Sequence, residues 1–169
     1  MSATLPEQFL LMPKLVRWFM IGSILVLAAV MPLLPRELGS AVVDRIAQEG
    51  TGDAFVVALA ASAALMVAFG WLVARPTPAR LDSIVARTCR DGQDEMAIAK
   101  AMSQTLALFI MRLSCFESVA LFGLVISVGT GESVWWVVLA AVALLNMLFT
   151  RFPSEGLAAA LDRAASPSR

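Results

Sequence analysis

Four long apolar blocks, at about 15–34, 54–74, 106–128 and 134–149, are separated by segments that hold most of the charge. A helix crosses the hydrocarbon core of a bilayer with about 20 apolar residues. Inside that core the backbone has no water to bond to, so each crossing must satisfy its own peptide groups. Composition points the same way: 59% of residues are hydrophobic and 15% charged, against about 45–50% and about 25% in soluble domains. The expected architecture is an all-α, polytopic membrane protein with four transmembrane helices and short amphipathic interfacial helices.

The first block begins near Lys14 and Arg17 and closes at Pro32 and Pro35. It exceeds the 7–15 residue apolar core of a cleaved signal, which makes an uncleaved anchor the expectation. In the second block Ala60, Ala64 and Ala68 recur at four-residue spacing, a small-xxx-small stripe that lets another helix approach closely. Residues 129–133, Gly-Thr-Gly-Glu-Ser, form a tight turn that pairs the last two blocks as an antiparallel hairpin.

Basic residues set the expected orientation. Lys14 and Arg17, then Arg75, Arg80, Arg87, Arg90 and Lys100, then Arg151, Arg163 and Arg169 fall on one side, leaving Arg36 and Arg45 on the other. The positive-inside rule makes the first side, with both termini, cytoplasmic. Trp18, Trp71, Trp135 and Trp136 sit near block ends, where an aromatic belt is expected. For a chain of this make-up the expected location is a bacterial inner membrane.

The two longer connections carry amphipathic patterns. Leu38, Val42, Val43 and Ile46 share one helical face, and Leu81, Ile84, Val85 and Thr88 share another. The cytoplasmic amphipathic segment, about 79–103, is expected to lie at the interface, with Arg80, Arg87 and Arg90 drawn to anionic lipid. Asp91-Gly92 interrupts it, and a helix starting at Asp94-Glu95 is expected to run straight into the third span. The tail, 154–169, reads as polar, and frayed from 158 onward.

Several chemistries are excluded at the outset. The chain has no His and no Tyr, which removes imidazole ligation, His-based triads and a tyrosine acid. Cys89 and Cys115 are not a C-x-x-C pair and read as a free thiol and a packing residue. A net charge of +0 offers no field for nucleic acid. No metal and no cofactor is implied.

Three polar residues lie within the apolar blocks: Arg112, Glu117 and Asn146. Arg112 can snorkel toward the headgroups, and Asn146 can hydrogen-bond to a neighbouring helix. Glu117 is deeper, and a carboxylate reaches less far. A charge at membrane depth costs about 2.5–3.5 kcal/mol on the lenient scale, so the group must face other helices or hold a proton. Ser114, Ala120, Gly123 and Ser127 share its small, mildly polar stripe. Two roles stay open: a neutral, hydrogen-bonded acid that fixes helix register, or a proton- or cation-binding carboxylate. A bridge to Arg112 is poorly placed, because residues five apart diverge around a helix.

The run Phe116-Glu117-Ser118-Val119-Ala120-Leu121-Phe122-Gly123-Leu124-Val125 resembles the carboxylate-bearing helix of c-type proteolipids of rotary ATP synthases, where an acid precedes an aromatic-Gly-Leu-Val run. Ala74-Arg75-Pro76 is similar in placement to that family's Arg- and Pro-containing polar loop. The resemblance spans 54–128 at most and implies an ion-binding role for Glu117. More broadly, the chain resembles small four-helix bacterial inner-membrane proteins. The expected function is a non-catalytic subunit, scaffold or assembly partner, associating with other membrane subunits or with itself. Ion coupling through Glu117 and a small transporter are the alternatives. An enzyme is not expected, because no convergent acid–base or metal set is present.

Overall fold

A computed structural model describes residues 7–30, 52–89 and 95–165. These residues form six α-helices and no strand: α1 (Glu7–Val30), α2 (Gly52–Leu72), α3 (Pro78–Thr88), α4 (Glu95–Thr130), α5 (Ser133–Phe149) and α6 (Ser154–Ala165). Four helical stretches are long and apolar enough to cross a membrane, beginning at Leu11, Gly52, Glu95 and Ser133. The amphipathic pattern expected at 38–46, the prolines closing the first block, and Arg90 to Asp94 lie outside the described residues.

α4 is the hub. It is continuous over 36 residues, which at about 1.5 Å per residue makes it far longer than a bilayer core requires. Its neighbours are α1, α2, α3 and α5. Half of its most apolar stretch, 50%, is buried, against 11% in α2. One core joins Phe109, Leu113, Phe116, Val119 and Ala120 of α4 to Ile21 and Ile24 of α1, Ala63 of α2, and Trp136, Ala140, Ala143 and Met147 of α5.

The α4–α5 hairpin forms as the turn residues require. Gly131 has φ +73°, a conformation that side chains with a Cβ rarely adopt. Ser127 staples the turn: its hydroxyl donates to the Glu132 carbonyl (2.6 Å) and accepts from the Trp136 amide (3.2 Å). A Cβ on Gly123 would stand 2.8 Å from Leu139 Cβ and 3.0 Å from the Trp135 carbonyl, so glycine sets the closeness of the two helices. Ala120, Gly123 and Ser127 are buried, as a packing stripe should be, and Ser114 is half-buried.

Among the described residues, most of the alanine stripe of α2 faces outward. Ala60 is half-buried, while Ala64 and Ala68 are exposed. The inward face carries Ala63, Met66, Val67 and Gly70 instead. Phe116 of α4 decides this registry, since its ring leaves space for glycine alone at position 70; a Cβ there would meet Phe116 Cε1 at 2.8 Å.

The tail also differs from expectation. Within the amphipathic segment, Pro78–Thr88 forms α3 and the residues from Glu95 form the first turns of α4, as expected. The apolar face of α3 turns toward the other helices. Leu81, Ile84 and Val85 pack against Ala101 and Met102 of α4 and Leu157, Ala160 and Leu161 of α6 in a second core. The tail is therefore a docked helix as far as Ala165, not a frayed end. The physical reason is the length of α4: its projecting turns carry an apolar stripe that water would otherwise meet, and α3 and α6 cover it. Asp82 and Arg163 join α3 to α6 across 2.6 Å, an exposed pair of small energetic weight.

Candidate functional site

The three intramembrane polar residues separate into two sites. On α4, residues 112 and 117 point about 140° apart, and each meets a different helix.

Glu117 meets α1. The Ser23 hydroxyl lies 2.6 Å from Glu117 Oε1 and 2.8 Å from the Met20 carbonyl. Ser23 has one proton and two acceptors within reach. The hydroxyl proton is shared between these two acceptors, the Glu117 carboxyl on α4 and the Met20 carbonyl on α1. The half-buried acid thus ties α1 to α4. Among the described residues it forms no ion pair, with Arg112 or any other cation.

Arg112 meets α2. It is 6% exposed, with its guanidinium carbon 4.3 Å from the Trp71 ring centroid and 5.8 Å from that of Phe116. Its Nε is buried without a hydrogen-bond partner. Trp71 Nε1 donates to Asn146 Oδ1 of α5 at 2.6 Å, and Asn146 Nδ2 donates to the Val142 carbonyl. Trp71 thereby brings Arg112 and Asn146 into one cluster across α2, α4 and α5. A cation over an aromatic face contributes from about 0.5 to about 2 kcal/mol, the upper value where water is excluded. Nothing in the sequence marked Trp71 or Ser23 as these partners, because both lie on helices far away in the chain.

The tryptophans do not all serve an aromatic belt. Trp18 is exposed, whereas Trp136 is 5% exposed and belongs to the core. Trp135 Nε1 donates to Glu132 at the turn. Cys89 and Cys115 are both free. Among the described residues, no three acidic or thiol groups come together to hold a metal. Arg80 donates to the Val73 carbonyl, locking the α2–α3 corner, and shares a cleft with Arg87, Gln104 and Leu108.

Apart from the buried Arg112, the basic residues among those described gather toward one end of the bundle. Arg17 Nη1 donates to the Thr150 carbonyl at 3.3 Å, and Arg163 reaches Asp82. The α4–α5 turn marks the opposite end. Fold and site together define a helical, multi-pass membrane protein in which, among the described residues, Glu117, Arg112 and Asn146 each contact a side chain of another helix. The sequence matches no protein-family model, and neither a curated protein nor a solved structure is found to be similar to it.

Proposed function

We propose that the chain is a non-catalytic component of a bacterial inner membrane, with its basic end cytoplasmic, that works by associating with other transmembrane helices. One observation carries this reading. α2 is the least enclosed span, yet its outward surface includes five alanines: Ala54, Ala58, Ala61, Ala64 and Ala68. Lipid contact sets no demand for small side chains, whereas close helix packing does. The stripe that the described residues leave exposed is available for packing between chains.

The polar residues support the same reading. Glu117 is engaged by Ser23 and Arg112 by Trp71, which suits residues that set helix registry. Ion coupling of the proteolipid kind needs a carboxyl that exchanges its ion with a path or a neighbouring subunit.

The test is assembly in mild detergent or nanodiscs. The wild type is expected to run as an oligomer or with a co-purifying membrane protein, and the Ala64→Leu/Ala68→Leu variant to dissociate. A monomer without a partner, or an assembly indifferent to the two leucines, overturns the reading. In liposomes, proton or sodium flux that requires Glu117 and disappears in Glu117→Gln would replace it with ion coupling.

A further inference from the structure

The basic end contains a cleft of about 460 Å³, lined by Pro13, Lys14 and Arg17 of α1, Phe109 of α4, and Arg151, Phe152 and Ser154 of the α5–α6 connection and the start of α6. Three of these residues are cations and none is an acid. Its floor is firm: the Phe109 and Phe152 rings meet edge to face, 5.7 Å apart at 87°.

The charges here are handled differently from those elsewhere at this end. Arg163 has Asp82, and Arg80 has the Val73 carbonyl. Lys14 and Arg151 pair with no acid among the described residues, and Arg17 is only half satisfied. Its Nη1 reaches the Thr150 carbonyl, while its Nε is buried without a partner. Like charges converging on one cleft repel, and an anion between them reverses the sign.

The surroundings select the anion. Just beyond Lys14 and Arg17, α1 turns Leu15, Trp18 and Phe19 outward, at 64%, 59% and 79% exposure. An exposed tryptophan between apolar residues and basic ones marks the membrane–water boundary. A ligand here has its charge at headgroup level and its apolar part beside α1. Basic pockets between transmembrane helices bind anionic headgroups in this way.

We propose that this cleft binds the headgroup phosphate of an anionic phospholipid, with Lys14, Arg17 and Arg151 as its ligands. The site is distinct from the Arg80–Arg87 surface of α3.

Native mass spectrometry of the purified full-length protein, titrated with short-chain phosphatidylglycerol, tests this. Phosphatidylcholine of the same chain length and inorganic phosphate serve as comparison probes. Wild type is expected to bind the anionic lipid in preference to both. At about 1 kcal/mol for each basic residue, Arg151→Gln, an exposed position, should weaken binding about five-fold and Arg17→Gln/Arg151→Gln about thirty-fold. Lys100→Gln removes the same charge from α4 outside the cleft and should change little. Equal losses in Lys100→Gln and Arg151→Gln, or no loss in Arg151→Gln, overturn the site. Inorganic phosphate binding as tightly as the lipid overturns the lipid assignment.

Discussion

At the scale of single residues, close approach and hydrogen-bond count make different predictions. Gly123→Val places its Cβ against Leu139 Cβ and a backbone carbonyl, neither of which can rotate away. The α4–α5 pair must separate, at a cost of about 1–3 kcal/mol typical of overpacking. Gly22→Ala meets nothing within 4 Å and sits inside α1, so it should keep or raise stability, by up to about 1 kcal/mol. Thermal denaturation in detergent compares the two, and equal stability would contradict the packing described. At Glu117 the amide of Glu117→Gln always has an N–H for Ser23 Oγ, so that variant should fold and melt like the wild type. Glu117→Leu leaves Ser23 with Met20 alone and should lower stability by about 1 kcal/mol, the scale of an interhelical bond in lipid. The sequence identified Glu117 as a residue needing relief from its surroundings, because burial of a carboxyl is a local cost. It could not name Ser23, which is brought opposite only when α1 settles beside α4.

At the scale of elements, the sequence was most informative where periodicity meets a terminator. The 129–133 turn and the continuous entry into α4 both follow from local chemistry, glycine at positive φ in the first and an acidic first turn in the second. The tail is the counter-example. Ser154–Ala165 is short and alanine-rich, and an isolated helix of that length is marginal in water. Its order comes from docking: Leu157, Ala160 and Leu161 face Leu81 and Val85 of α3. Leu157→Ala should cost about 2–5 kcal/mol of that local docking. The predicted readout is faster proteolysis and faster amide exchange in α6, with the α4–α5 hairpin still protected. Loss of protection throughout the chain would show instead that α6 is integral to the transmembrane core.

At the scale of the molecule, what matters is which apolar faces meet each other and which meet lipid. A bilayer removes most of the hydrophobic drive between helices, so small residues, aromatic–cation stacking and polar bonds select the neighbours. The inward face of α2, with Ala63, Met66, Val67 and Gly70, and the alanine-rich outward face are nearly equal in hydrophobicity. Choosing Ala63 and Gly70 over Ala64 and Ala68 as the inward face therefore depended on the bulk of Phe116 and the reach of Trp71 to Asn146. The sequence by itself determined that the chain is all-helical, that four stretches can span a membrane, and where the last hairpin turns. These features depend on backbone hydrogen bonding in hydrocarbon and on local turn chemistry, and both act within one segment. Tertiary structure decided that Glu117 joins Ser23, that Arg112 lies on Trp71, and that Lys14, Arg17 and Arg151 share one cleft. Each of these contacts needs two or three distant helices, and only their packing fixes the distances between them.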